Sequence, residues 1–233
     1  MSRMSGETRE GIGSVLIGDA LADPDVGARR IEFDQGSAIY EPGAPAVSLY
    51  YIHAGQIRTY LVSRDQSARL MEILGPGDWF GAEALIDGSV ASSRAVAVSH
   101  TVVSAVPVDR LKELLRRQPA TSMELIRQLA TKLKTAREDA GRLVFDDCSA
   151  RLLNTLLQFS GSAAATPQAG GDVMLHITHR QLAQAVGAAR ETVSLALTQL
   201  RQQSLLRTGR NRLTFNPQAL REFAKRKAAG EPV

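Results

Sequence analysis

A single cysteine, Cys148, occurs in the 233 residues. That excludes an intrachain disulfide and any cluster held by several cysteines of one chain. The lone thiol stays open between a redox switch and a small packing residue near a helix start. Histidine is almost as scarce, with four residues. His53 and His100 lie far apart in a strand-rich stretch, without metal-site spacing, and read as strand or turn residues or, alternatively, as isolated haem ligands. There is no Ser-His-Asp arrangement, no phosphate-cradling glycine loop and no paired acid motif, which argues against a barrel-fold enzyme. No run of about 18 apolar residues exists, so no membrane span is expected. The first 18 residues lack a basic start followed by an apolar stretch, so no secretory leader is expected either, and the natural location is the cytoplasm. No cofactor is implied.

What is present is enough apolar material, 44%, for packed cores in one large or two ordinary domains. The net charge of +4 is unevenly placed. Residues 146–233 carry 11 Lys and Arg against 6 Asp and Glu, while the rest carries 17 against 18. A basic C-terminal segment suits a polyanion, because neutralised phosphates release counterions. Chance asymmetry is the plain alternative.

The pattern changes period along the chain. Residues 1–27 form a lead-in, with one short helix expected around Val15, Leu16 and Ile17. Residues 28–118 alternate short apolar runs with turns such as Ala54-Gly55 and Gly75-Pro76-Gly77-Asp78, which predicts an antiparallel β-roll of jelly-roll type, closed by a short helix over 108–117. Residues 119–145 read as one long helix from Thr121 onward. Ile126, Leu129, Leu133, Ala136, Ala140 and Leu143 are spaced 3, 4, 3, 4, 3, the seam of a two-stranded coiled coil. A helix lying on its own domain would show a wider stripe. Residues 146–233 complete an α+β chain with helices and a small hairpin.

Within that last part, Thr178 and Gln181 fit a capping box, Leu182, Ala185 and Val186 an apolar face, and Gly187 a turn. A second helix then opens with Arg190, Glu191 and Thr192, and buries Val193, Leu197 and Leu200. That is the layout of a DNA-binding helix-turn-helix, although a plain helical corner has the same outline. A hairpin follows over 205–215, with Arg210 and Arg212 at its tip like a cationic wing. Double-stranded DNA and a second copy of the chain are the expected partners.

Roll, long helix and winged helix-turn-helix, in that order, resemble the CRP/FNR family of bacterial transcription regulators from about residue 30 to 216. The landmarks are Leu49-Tyr50-Tyr51-Ile52 with Gly55, Gly75-Pro76-Gly77-Asp78-Trp79-Phe80-Gly81, and Val186-Gly187-Ala188-Ala189-Arg190-Glu191-Thr192-Val193. The resemblance implies an effector-sensing roll, a helix-mediated homodimer, a two-fold-symmetric operator and contact with RNA polymerase. It implies that Arg190 contacts guanine and Glu191 a cytosine amino group. Thr178, His179, Arg180 and Thr192 then meet phosphates, and Ser194, Arg210 and Arg212 belong to the same interface. Many relatives carry a second Arg where this chain has Leu195, so a TGTGA-type half-site degenerate at one pair is expected, with discrimination there weaker by roughly 1–3 kcal/mol.

The roll departs from the pattern that holds cyclic AMP in the family, a Gly-Glu pair and a later Arg-Ser/Thr-Ala run. Here the stretches are Gly81-Ala82-Glu83 and Ser92-Ser93-Arg94-Ala95, and Ala136 and Arg137 stand where relatives offer hydroxyls to the adenine. A one-residue slip on a strand turns a side chain to the other face. Gly81, Glu83, Ser92, Ser93, Arg94 and Arg137 are thus candidates for a pocket with another small effector or none, Arg94 meeting another anion or pairing only with Glu83. The alternative is a cyclic-nucleotide-responsive regulator with a rearranged pocket. The cysteine cluster of the oxygen-sensing branch is missing from residues 1–27.

Overall fold

The computed structural model describes Gly18, Ala20, Leu21 and residues 26–65, 67–145, 147–162 and 165–228, apart from the side chains of 142–145 and of Ala228. The helix expected around Val15, Leu16 and Ile17 and the side chain of Leu143 lie outside the described residues.

Period-two alternation builds the first part. Strands β1 (Arg29–Phe33), β2 (Ala38–Tyr40), β3 (Ser48–Ala54), β4 (Ile57–Val62), β5 (Ala68–Leu74), β6 (Trp79–Phe80), β7 (Arg94–Ala97) and β8 (Thr101–Pro107) make two antiparallel sheets. Their orders are β1-β8-β3-β6 and β2-β7-β4-β5. Ile52, Ile57, Leu74, Phe80, Ala95 and Val103 fill the space between them. Gly55 turns β3 into β4 at φ +89°, where a Cβ would lie 2.4 Å from the His100 carbonyl oxygen. His53 hydrogen-bonds Ser104 Oγ at 2.7 Å, and His100 lies 3.4 Å from Glu32 at the surface. Among the described residues no group of His, Cys, Asp and Glu could hold a metal.

β8 runs into α1 (Val108–Arg117), then α2 (Pro119–Phe145). α2 begins two residues before the expected start, because proline suits the first helical position, where an N–H has no partner to lose. α2 has two apolar faces. Leu125 is buried and Leu129 half-buried against Leu49, Trp79, Val106, Leu111 and Leu114 of the roll and α1. Trp79 Nε1 donates to Gln128, and Lys132 sits 5.0 Å over the Trp79 ring and 2.7 Å from Glu72. On the other face Met123, Ile126 and Leu133 are 64%, 56% and 53% exposed. Leu129, counted in the seam, thus belongs partly to its own domain, while Ala136 and Ala140 are exposed. Among the described residues no helix is long and apolar enough to cross a membrane.

The last part comprises α3 (Cys148–Ser160), β9 (Thr166–Pro167), β10 (Val173–Leu175), α4 (His179–Val186), α5 (Arg190–Gln202), β11 (Leu206–Gly209), β12 (Arg212–Phe215) and α6 (Pro217–Ala228). Its sheet runs β11-β12-β10-β9. Leu152, Leu156, Leu182, Leu197, Leu213 and Leu220 centre its core, with Cys148 packed half-buried against it. Asp147 caps α3 by accepting from the Ala150 amide at 2.6 Å. Leu70 and Ile73 of β5 belong to the same apolar cluster, so α4 packs on the outer face of the roll. Arg58 of β4, 5% exposed, donates from Nη2 to the His176 carbonyl, and its Nε has no partner.

Candidate nucleic-acid interface

Local chemistry fixes both helices of the corner. Thr178 Oγ1 accepts from the Gln181 amide at 3.2 Å, and Gln181 Oε1 accepts from the Thr178 amide at 3.0 Å. Two amides at the start of α4 are thereby satisfied. Gly187 ends α4 at φ 70° and ψ 47°, the left-handed geometry glycine adopts without strain. Leu182, Ala183, Ala185 and Val186 are buried, as are Val193, Ala196, Leu197 and Leu200 of α5. Arg151 Nε donates to the Val186 carbonyl at 3.1 Å and steadies the end of α4 from α3.

With that face spent on the core, α5 exposes Arg190, Glu191 and Thr192 at its first turn. His179 Nδ1 and Ser194 Oγ lie 3.0 Å apart, so these two expected DNA-binding residues bridge α4 to α5. Thr178 serves as the cap, and Arg180 is exposed. Arg210 and Arg212 stand exposed on the β11–β12 hairpin, whose tip turns at Asn211 with φ 56°. Arg207 is held by Asp172 at 2.7 Å. Arg180, Arg190, Arg210 and Arg212 form no ion pair with a described residue. The arrangement offers a carboxylate and a guanidinium at the tip of a helix, flanked by free cations.

The roll contributes a second feature, a cavity of 590 Å³ between β4, β5, α2 and α3. Glu83, Ser92 and Ser93 line it, whereas Gly81, Arg94 and Arg137 do not. Ser92 Oγ donates to Glu83 at 2.7 Å. Of the two readings left open for Arg94, the pairing with Glu83 is not formed: its Nε donates to the Glu41 carboxylate at 2.6 Å, just beyond β2, which pairs with β7. Burial pushes the nearby Tyr40 hydroxyl well above its usual range, so it stays protonated. Glu72, Lys132, Asp139 and Arg151 also line the cavity, and spacing gave no sign of them. Lys132 is paired with Glu72, which also accepts from Thr59 Oγ1 at 3.3 Å.

Comparison with known proteins adds to this geometry. Residues 30–118 match the family model of the cyclic nucleotide-binding domain, and residues 150–223 that of the Crp-like helix-turn-helix domain. A CRP-like cAMP-activated global transcriptional regulator of Mycobacterium tuberculosis is 31% identical over 192 residues, 81% of this chain and 84% of that protein. The chain belongs to the CRP/FNR family. A cyclic AMP receptor protein of Thermus thermophilus is 30% identical over 194 residues, covering 83% of this chain and 86% of its own. The crystal structure of a CRP/FNR-family transcriptional regulator, also from Thermus thermophilus, superposes with a TM-score of 0.70 at 27% identity, over 84% of this chain and 98% of that one. The α+β architecture of roll, long helices and C-terminal helix-turn-helix is that of the family, whose members are transcription regulators and not enzymes.

Sequence reasoning missed three parts of this CRP/FNR regulator. Met123 extends the exposed stripe of α2 one step toward its start, and the pattern had begun at Ile126. The Arg58 tie joins residues 118 apart in sequence, beyond any local signal. The Thr59, Glu72 and Lys132 group is assembled from β4, β5 and α2, where only a three-dimensional pairing could have revealed it.

Proposed function

We propose that this transcription regulator acts as a homodimer on a two-fold-symmetric DNA operator, without cyclic AMP as its effector. The observation that carries the reading is the first turn of α5, where Arg190 and Glu191 stand in solvent on a helix whose opposite face is locked into the core. In a major groove the guanidinium donates to guanine O6 and N7, and the carboxylate accepts from cytosine N4. Thr178, Thr192, Arg180, Arg210 and Arg212 supply the phosphate-facing rim, with His179 and Ser194 holding the corner rigid. Met123, Ile126, Leu133, Ala136 and Ala140 give α2 an apolar stripe that a second copy covers, which sets two recognition helices about one turn of DNA apart. The regulator works in the cytoplasm beside RNA polymerase.

The effector part rests on the cavity. An anionic cyclic nucleotide needs a free guanidinium at its phosphate. Arg94, the guanidinium of the Ser92-Ser93-Arg94-Ala95 run, stands outside the cavity bound to Glu41, and Glu83 is bound to Ser92. A gel shift with a palindromic family-type probe tests the whole. Dimer-sized complexes of equal strength with and without added cyclic AMP support it. Absence of any specific complex at moderate salt removes it.

A second reading keeps cyclic-nucleotide control with a rearranged pocket. It is favoured by the cyclic nucleotide-binding domain match and by the cAMP-activated relatives. Calorimetric titration with cyclic AMP and cyclic GMP separates the two, since saturable heat supports only this second reading.

A further inference from the structure

Leu195 is 63% exposed, and among the described residues from 146 onward it is the only large apolar side chain classed as exposed. It lies on α5 one turn beyond Glu191, with Val193, Ala196, Leu197 and Leu200 buried on the far side of the helix. At about 100° per residue, Glu191 and Leu195 sit within about 40° of each other, both facing directly away from the core. An isolated exposed leucine elsewhere on a surface needs no explanation. This one stands beside Glu191, on the exposed arc of α5 that runs from Arg190 round to Thr192.

We infer that Leu195 is a specificity-determining residue that reads the C5-methyl group of a pyrimidine, which is thymine in unmodified DNA. Major-groove edges present donors and acceptors at every base pair, and the thymine methyl is their one apolar group. An isobutyl side chain held against any other edge covers polar atoms and returns no hydrogen bond. Against a methyl it buries apolar surface on both partners. The four-residue step from Glu191 carries Leu195 about 6 Å along the helix axis, enough to reach a different base pair from the one Glu191 meets. The half-site is therefore not degenerate at this pair; it is read by apolar contact. The inference rests on the operator reading proposed above.

The test starts from the palindromic operator that the full-length protein selects from a random duplex pool. Each thymine is replaced in turn by deoxyuridine, which removes only the methyl. Loss of one buried methyl weakens binding about three- to fivefold at one pair per half-site. Leu195→Ala is expected to bind the thymine and uridine probes equally at that pair, while Arg190-dependent binding persists. At the same pair, 5-methylcytosine against cytosine separates a methyl reader from one that needs the whole thymine. Retention of the methyl effect on cytosine supports the inference for any C5-methylated pyrimidine, and its loss overturns the extension beyond thymine. Equal binding of thymine and uridine probes at every position also overturns it, with the operator reading intact. Failure to select any operator removes that reading as well.

Discussion

Arg180, Arg190, Arg210 and Arg212 stand around the helix-turn-helix without an ion pair to a described residue, whereas Arg94 and Glu83 of the roll and Lys132 of α2 are paired within the fold. Arg94 is held by Glu41, Lys132 by Glu72 and the Trp79 ring, and Glu83 by Ser92. A free surface cation exchanges its counterions for phosphates at little cost. A paired one must first break its own contact, and a ligand has to supply that energy. On the reading proposed above, one chain keeps the family's reading chemistry at one end and has lost its cyclic AMP chemistry at the other. Shared fold carries over geometry, and the pairing state of each charge decides what that geometry still binds.

The contrast can be broken most severely from inside. Leu182 is fully buried between α4 and the rest of the winged-helix core. Leu182→Ala is expected to cost about 2–5 kcal/mol, read from chemical denaturation, and to weaken DNA binding only through the folded fraction. Arg190→Ala should do the reverse. Its melting temperature stays at the parent value, while affinity for the operator falls by about 1–3 kcal/mol in a gel shift and preference at one guanine is lost. A variant that binds as before would show that the α5 tip is not the reading element.

Smaller effects sharpen the comparison. The Ala150 amide beside Asp147 holds its carboxyl below the usual aspartate range, with desolvation opposing and Lys227 adding at 3.5 Å. A carboxyl depressed in the folded state stabilises above its unfolded pKa and loses that contribution as pH falls through its folded pKa. Asp147→Ala should therefore cost about 0.5–1 kcal/mol near neutral pH, the low end for a cap because the carboxylate is largely solvated. The difference from the parent should shrink in acid below the ordinary aspartate range, as followed by denaturation at a series of pH values. Arg94→Ala sits at the bottom of the scale. It removes a half-exposed ion pair worth less than about 1 kcal/mol, and DNA binding with or without cyclic AMP should not change. A variant that abolished a response to cyclic AMP would return Arg94 to the pocket.

Patterns that repeat over a few residues were legible. The Thr178–Gln181 capping box, the glycine turn at Gly187, the strand runs of the roll and the helical spacing of α2 all rest on neighbours a few positions away. Their causes are backbone geometry and local hydrogen bonding, which a sequence displays directly. The pocket was not legible. Arg94 and Glu41 are 53 residues apart and meet only because β2 pairs with β7. Lys132 reaches Glu72 across 60 residues because α2 lies along the roll. Leu129 fitted the seam and yet half-buries itself on its own domain, since a helix can spend two faces at once.

The winged-helix core borrows Leu70 and Ile73 from a strand that precedes it by more than seventy positions. A fragment severed at residue 146 would leave both behind, bare a greasy dimple on α4 and strip the His176 carbonyl of its guanidinium donor. Such a piece should be less soluble and quicker to be nicked by protease than the same residues in the intact chain. The place where the polypeptide is cut most naturally on paper is not where its cooperative unit ends.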